Sequence, residues 1–288
     1  MKNKLLTVLI LLFFISACKK EEDTIDNSPI PQKGCFINTV VSGTDKTVYT
    51  YHAENKVIKI EYFEANVLDY YETFTYTSSN VTIKYFEGNG TADGQEIAEM
   101  QNGRITKSIS TDNYTDNGFT YTYLATYIFE YNSAGFLIKT TGESKTTTNK
   151  PNTPATTSSE TKTYTYQNDN LTQTIENYQS STSNSNETNT YEYYTDKDNV
   201  INMGYDIGDD DSYVFLFGKQ SKNLLKKASD VGRDTYNGNA YNYSGNSTYT
   251  YVYDSNGKPN KATEVFSNTS NGTTTNRTSI YNLTLNCK

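Results

Sequence analysis

The sequence lacks tryptophan and has a single histidine, His52, among its 288 residues. Histidine is the usual base of nucleophilic triads and a common zinc ligand, so one histidine argues against both kinds of site. No Gly-x-Ser-x-Gly, His-Glu-x-x-His, phosphate-loop or Cys-x-x-Cys motif is present. Hydrolysis by two carboxylates needs only Asp or Glu and stays open as an alternative, although nothing marks out a pair. We therefore expect a protein that is not an enzyme.

Positive charge is also scarce, with 25 Lys and Arg against 33 Asp and Glu and a net charge of −8. A negative surface argues against nucleic-acid partners and against electrostatic attraction to anionic lipid. Leu, Ile, Val and Phe are few enough to suggest disorder, but 27 Tyr supply the missing apolar area. Because each Tyr ring is apolar and its tip polar, this composition suits the half-wet face of a sheet.

The first 17 residues have the parts of a secretory signal. Two lysines precede an apolar run from Leu5 to Ile15, and small residues lie before Cys18. Eleven helical residues span roughly 16 Å, which is too short to cross a hydrocarbon layer of about 30 Å. Ile15-Ser16-Ala17-Cys18 resembles the lipobox of bacterial lipoproteins. The resemblance implies cleavage before Cys18, lipidation of its thiol, and membrane attachment through that lipid.

Charged residues follow the lipobox as Lys19-Lys20-Glu21-Glu22-Asp23. This run resembles the signal that exports Bacteroidota lipoproteins to the outer face of the outer membrane, although a solvated tether would look the same. Residues 18–34 show no apolar periodicity and are expected to form a flexible tether. Residues 35–288 are expected to form a single β-repeat domain.

Two further cysteines, Cys35 and Cys287, lie at the two ends of this domain. In an oxidising compartment they can pair and join the first strand to the last, which we favour over two free thiols.

Strict alternation of residue types dominates the rest of the chain. Tyr121, Tyr123, Tyr127, Phe129 and Tyr131 share one face of a segment whose period of two predicts a strand. The only weak candidate for a helix after the signal is residues 224–228.

The alternation recurs as a unit of two aromatic residues one residue apart, a short polar turn and an apolar strand. The six copies begin at Tyr49, Phe74, Phe129, Tyr164, Tyr191 and Tyr251, with turns at 52–55, 78–80, 132–135, 168–170, 196–199 and 254–257. Each copy predicts a β-hairpin. The pattern is similar to YD (Rhs-like) repeats and to Bacteroidota lipoproteins built from them, over about 45–265. Only Tyr253-Asp254 with Gly257-Lys258 approaches the full motif.

Polar stretches at 142–163, 179–190, 236–248 and 267–279 are interpreted as long mobile connections between hairpins. We expect an all-β fold, a large curved antiparallel meander of Tyr-rich hairpins, with closure as a soluble barrel through Cys35 and Cys287 left open. A membrane-spanning barrel is disfavoured by the lipid anchor and by the polar second faces of the strands.

Two groups of side chains are candidate sites. Asp206, Asp209, Asp210 and Asp211 supply oxygen ligands for Ca²⁺, although an acidic turn of this kind is more often solvated, and no cofactor is expected otherwise. The tyrosine rings form either a platform for sugars or a protein, or the core of the fold, and we favour the core.

The sequence therefore predicts an outer-membrane lipoprotein, exposed at the cell surface, that binds an extracellular protein or glycan without catalysis. Three alternatives stay open: a glycan-binding lipoprotein of a nutrient-uptake system, a periplasm-facing structural or chaperone-like lipoprotein, and a carboxylate-pair hydrolase.

Overall fold

The computed structural model describes residues 35–52, 56–200 and 214–287. The described chain forms 16 strands and one 3₁₀ turn, Val214–Leu216. The strands are β1 Cys35–Ser42, β2 Asp45–Tyr51, β3 Val57–Glu64, β4 Val67–Tyr76, β5 Asn80–Glu87, β6 Ala92–Gln101, β7 Arg104–Asp116, β8 Phe119–Tyr131, β9 Leu137–Thr148, β10 Thr156–Gln167, β11 Asn170–Ser180, β12 Ser183–Asp198, β13 Asn223–Tyr236, β14 Asn239–Tyr253, β15 Pro259–Ser270 and β16 Thr273–Cys287.

Every strand pairs antiparallel with its neighbours in the chain, and β16 pairs with β1 to close a barrel. The structure thus confirms the all-β prediction and decides for closure over an open sheet. We call the end that carries Cys35 and Cys287 the lower end, and the opposite end the upper end. Strands β1–β6 have 7 to 10 residues and β7–β16 have 11 to 16, so one wall of the barrel is taller.

Polar side chains build the turns at the lower end. The Oδ1 atom of Asn132 accepts hydrogen bonds from the N–H groups of Ala134 and Phe136, each at 3.0 Å. Asp254 accepts from Asn256 and Lys258 in the same way, at 2.8 and 2.9 Å. Such Asx turns fix a five-residue reversal between two strands, which is why the pattern predicted hairpins at both places.

Five of the six predicted hairpins are present, and the prediction of a hairpin with its turn at 196–199 is wrong. There β12 continues to Asp198, and the chain returns as β13 only at Asn223. Residues 201–213, which follow the predicted turn, lie outside the described residues.

The four polar stretches are strand ends and not long loops. They lie at the upper ends of the strand pairs formed by β9 to β16. The turns between these strands have two residues each at 181–182, 237–238 and 271–272, and seven residues at 149–155. Asn237-Gly238 and Asn271-Gly272 have positive φ at both residues, as a tight hairpin turn requires. Residues 224–228 begin β13 and are not helical. Within the described ranges, no helix is long and apolar enough to cross a membrane.

Apolar side chains fill the inside of the barrel at its lower end. Buried residues from β3 to β14 form one contiguous cluster, which we call the lower core: Val57, Ile60, Phe74, Val81, Ile83, Ala98, Met100, Ile105, Phe129, Leu137, Tyr164, Leu171, Tyr191, Leu216, Phe217, Leu225 and Tyr249. Since a barrel of this strand number is wide enough for an aqueous channel, strands alone would not be expected to fill it.

Residues 215–222, which we call the plug segment, supply part of the missing volume. The Phe217 ring stacks on Phe129 with 5.1 Å between centroids, and Phe215 meets Phe74 edge-on at 5.7 Å. The Ser221 hydroxyl accepts a hydrogen bond from the Leu171 N–H at 3.0 Å. The plug segment is therefore both packed and hydrogen-bonded into the lower end.

The second aromatic residue of the repeated unit has a common contact. The Tyr51, Tyr76 and Tyr131 hydroxyls each donate to a backbone carbonyl of the preceding strand, at 2.7, 2.9 and 2.7 Å. In the last unit it is the first aromatic residue, Tyr251, whose hydroxyl donates to a carbonyl of the preceding strand, at 2.9 Å. Each bond satisfies a buried hydroxyl and ties adjacent strands together.

The outer faces of β9 and β10 are polar, whereas the outward positions of other strands include exposed apolar residues: Ile97, Leu124, Ile128, Ile175, Val231, Val252, Val265 and Ile280. The outward positions of β9 are Lys139, Thr141, Glu143, Lys145 and Thr147, and those of β10 are Thr157, Ser159, Thr161, Thr163 and Thr165. Neighbouring strands carry outward ion pairs such as Lys107–Glu99 at 3.3 Å. None of these ten positions on β9 and β10 carries an apolar residue.

Candidate functional site

The inward-facing residues above the lower core line a space that we call the upper lumen. Alternation along β8 puts Tyr121, Tyr123 and Tyr127 on this inner face, above buried Phe129. Tyr114 on β7 stacks on Tyr121 with 5.0 Å between centroids, and 47% of its surface remains exposed. Tyrosines on one face of a strand thus divide by height: the lower rings form core and the upper rings contact solvent.

A cavity of about 400 Å³ lies against the inner side of β8–β12. Its inward-facing lining is rich in hydroxyl groups and aromatic rings and includes one carboxylate: Tyr123, Tyr127, Ser144, Ser158, Glu160, Tyr178, Ser180 and Ser183. Its volume falls in the range of small-molecule sites, and polar groups that converge on one cavity are typical of them.

Two tyrosine rings in the upper lumen lie over glycines of the neighbouring strand. The Tyr127 ring occupies the space that a Cβ at Gly142 would need, and the Tyr243 ring does so at Gly232. Both pairs lie directly opposite each other in the sheet. Because the glycine has no side chain, the ring can rest on the wall instead of projecting across the lumen.

Carboxylates outnumber cations at the inward positions of β10–β13. Glu176 lies opposite both Lys162 on β10 and Glu187 on β12. The Lys162 ammonium is 3.2 Å from Glu176 and its side chain is 2% exposed. Glu187 accepts hydrogen bonds from Tyr243 and Asn189, at 2.6 and 2.7 Å. With Glu160, Asp230 and Asp234 also on this face, the potential in this part of the lumen is negative.

Asp230 on β13 has a perturbed titration. Burial raises the pKa of its carboxyl above the ordinary value, and the Glu187 carboxylate raises it further. The backbone N–H groups of Gly245 and of Asp230 itself act in the opposite direction. Proximity to another carboxylate makes the charged form costly, since little solvent separates the two.

Glu264 on β15 is buried on the inner face near the opposite wall. It accepts hydrogen bonds from the hydroxyls of Ser247, Tyr249 and Tyr281, at 2.7, 3.0 and 2.9 Å. Burial raises the pKa of the Tyr249 hydroxyl, which stays a donor at neutral pH. Three donors to one carboxylate indicate a structural network, because little of its hydrogen-bonding capacity remains for a ligand.

Cys35, Cys287 and His52 lie at the lower end of the barrel and not in the upper lumen. Cys35 and Cys287 lie opposite each other in β1 and β16, with 4.0 Å between Cα atoms, and the structure joins them in a disulfide. Cys18 and the acidic group at 206–211 lie outside the described residues. His52 is exposed beside a turn at the lower end.

No described side chains, in 35–52, 56–200 or 214–287, form a group of three or more His, Cys, Asp or Glu suited to a metal ion. The upper lumen was not predicted from the sequence. The signal that could have found it is the recurrence of Tyr, Ser, Asp and Glu on one face of the longer strands, in the stretches interpreted as loops.

No known family model matches this chain, and no curated protein matches it. Among solved structures, the fold is similar to the crystal structure of a porin-like protein from Bacteroides uniformis. The likeness covers 90% of this chain and 99% of the other, with a TM-score of 0.53 and 15% sequence identity. At this identity the similarity establishes the barrel fold alone.

Proposed function

We propose that this protein is a lipid-anchored, non-catalytic binding module of the outer membrane that holds a ligand in the upper lumen and conducts no solutes. The observation that carries the proposal is the lower core, which with the plug segment fills the lower end of the barrel. A channel needs a continuous path, whereas a filled lower end leaves a closed-bottomed cup above it. The cavity of about 400 Å³ then has the geometry of a ligand site.

The polar outer faces of β9 and β10 support attachment by lipid over insertion of the barrel. A membrane-spanning strand has about 9–11 residues and so turns about five side chains to lipid. The outward positions of β9 and β10 include Lys139, Glu143 and Lys145 and are otherwise Ser or Thr. A lysine at the bilayer midplane costs about 2–4 kcal/mol in a barrel, so this face favours water.

The position of Cys35 supports an orientation. The barrel begins there, at the lower end. The predicted lipid at Cys18 would attach to this end through a tether of 17 residues, about 20 Å in mean extension. The lower core then faces the membrane and the upper lumen faces away from it. The porin-like neighbour from a Bacteroides species supports the outer membrane as the location.

A conductance measurement distinguishes a barrel that is closed at its lower end from an open channel. The full protein, purified in detergent and added to planar bilayers, is expected to produce no stepwise currents, because the lower end is filled. Deleting the side chains of Phe215 and Phe217 by alanine substitution leaves apolar wall residues in place and should not create a steady pore. Regular single-channel currents from the parent protein would refute the proposal.

Attachment and orientation need a separate experiment in cells. Replacing Cys18 by Ala should abolish metabolic labelling with palmitate and release the barrel from the membrane fraction. Protease added to intact cells should degrade the parent protein if it faces outward. A barrel that stays in the membrane after Cys18→Ala would indicate insertion, and one that resists protease would indicate the periplasmic alternative.

Hydrolysis by a carboxylate pair is a second candidate, favoured by one observation. Burial and Glu187 raise the pKa of Asp230, which is a property of a general acid beside a second carboxylate. Incubation with oligosaccharides, followed by mass spectrometry, tests this candidate. Products that disappear with Asp230→Asn would support hydrolysis, and intact substrates throughout would reject it.

A further inference from the structure

We propose that the cavity on β8–β12 binds a carbohydrate that carries no acidic groups, stacked on the Tyr127 ring. This inference rests on the proposed function, because it assigns a ligand class to the same lumen. It starts from the lining of the cavity, which offers aromatic rings and hydroxyl groups together with the Glu160 carboxylate.

The seating of Tyr127 supplies a stacking surface. Its ring lies over Gly142, in the volume that a Cβ would occupy, so the wall covers one face of the ring. The same ring packs against the lower core and lines the cavity, so part of its remaining surface is turned to the lumen. A flat ring held against a rigid strand loses little conformational freedom on binding, and a sugar ring can lay its C–H groups on it. Gly142 thus determines how Tyr127 is presented.

The polar groups around Tyr127 match the needs of a sugar. Ser144 and Ser158 lie opposite each other with their hydroxyl oxygens 2.7 Å apart, and both line the cavity. Glu160 lines it two residues farther along β10. Hydroxyls that donate and accept, next to a carboxylate that only accepts, can satisfy the many hydroxyl groups of a sugar ring.

Charge decides between classes of carbohydrate. The inner face of β10–β13 carries Glu160, Glu176, Glu187, Asp230 and Asp234 against one cation, Lys162. In a cup with protein walls, field lines are focused and anions are repelled. Uronic-acid and sulfated sugars are therefore disfavoured, while neutral sugars enter and amine-bearing sugars gain attraction.

Calorimetric titration of the full protein in detergent tests this inference. The probes are neutral hexasaccharides of glucose, mannose and xylose, the glucosamine hexamer and the galacturonic acid hexamer. We expect binding to a neutral or amine-bearing member and no heat with galacturonate. Absence of binding to all neutral and amine-bearing probes, or equal affinity for galacturonate, overturns the inference.

Matched variants locate the site. Tyr127→Phe keeps the ring and should retain the parent affinity within about threefold, whereas Tyr127→Ala should lose about tenfold or more. Tyr236→Ala, at an exposed hairpin end outside this cavity lining, is the control for loss of a tyrosine. Glu160→Gln should weaken binding several-fold, and Glu192→Gln, which removes the same charge from an exposed side chain, should not.

Circular dichroism identifies any variant that fails to fold, and if Tyr127→Ala does so, Glu160→Gln carries the test. If Glu160→Gln, or a folded Tyr127→Ala, binds as the parent does, the site lies elsewhere and the inference fails. The cup proposal is tested apart from this, since conductance and protease accessibility do not depend on sugars. A protein that conducts nothing and binds none of the sugars would keep the cup and lose the carbohydrate.

Discussion

Replacing Lys162 by Met should destabilise the barrel strongly, although methionine fits the same volume. Lys162 is buried, and its ammonium lies 3.2 Å from the Glu176 carboxylate. Breaking a buried ion pair from one side costs about 3–5 kcal/mol, because the remaining charge keeps its desolvation and loses its partner. Glu176 is 29% exposed, so solvent screens part of that cost and we expect about 2–3 kcal/mol. Repulsion from Glu187, directly opposite, acts in the same direction.

Urea unfolding followed by circular dichroism measures this change. The double variant Lys162→Met/Glu176→Gln removes both charges and should be more stable than Lys162→Met alone, since no buried charge is left without its partner. Lys145→Met on the outer face is the control and should change the free energy of unfolding by no more than about 0.5 kcal/mol. A single variant as stable as the parent, or a double variant no better than the single one, would refute the reasoning.

Four further predictions concern stability. Phe217→Ala should lower the free energy of unfolding by about 3–5 kcal/mol, because it empties buried volume in the lower core, and denaturant unfolding measures this. Tyr131→Phe removes one hydrogen bond at 2.7 Å and should cost about 1 kcal/mol in the same assay; no change would mean that the bond is not formed in solution. Asp230→Asn should raise the free energy of unfolding more at pH 7 than at pH 3. The folded-state pKa of the Asp230 carboxyl is raised, so the stability linked to its protonation is present in acid and lost as pH rises through that pKa. Asparagine stays neutral at both pH values and therefore avoids this loss. Reduction and alkylation should add mass at Cys35 and Cys287 only after a reductant is supplied, and loss of this link across 252 residues should cost about 5 kcal/mol in the chain-entropy model; alkylation without reductant would show free thiols.

Hairpin turns were the most predictable part of the fold because their information is local. The Asn132 and Asp254 side chains bond to N–H groups two and four residues ahead, so a window of five residues specifies the reversal. The turn expected at 196–199 failed because its polar residues continue β12 instead. This strand pairs with β13, which starts 25 residues after β12 ends. Strands that pair across so long a sequence separation give no signal within a short window of sequence.

The polar halves of the long strands were misread for a related reason. Ser, Thr and Asn are typical of loops, yet in the upper halves of β9–β16 they form paired strands. Both faces of these strands contact solvent, one in the upper lumen and the other on the outside of the barrel. The apolar-polar contrast that identifies a strand disappears when neither face is buried. Of the residues that we assign to the ligand, Tyr127 belonged to a predicted aromatic strand face, whereas nothing in the sequence marked out Glu160.

The sequence by itself determined the strand type and the positions of most of the lower turns, since both follow from composition and short-range pattern. It also carries the predictions for Cys18 and for the tether. Tertiary structure alone decided that the sheet closes, that Cys35 reaches Cys287, and that the plug segment fills the lower end. Closure and filling depend on contacts between residues far apart in the chain, and such contacts also decided which tyrosines became core and which line the lumen.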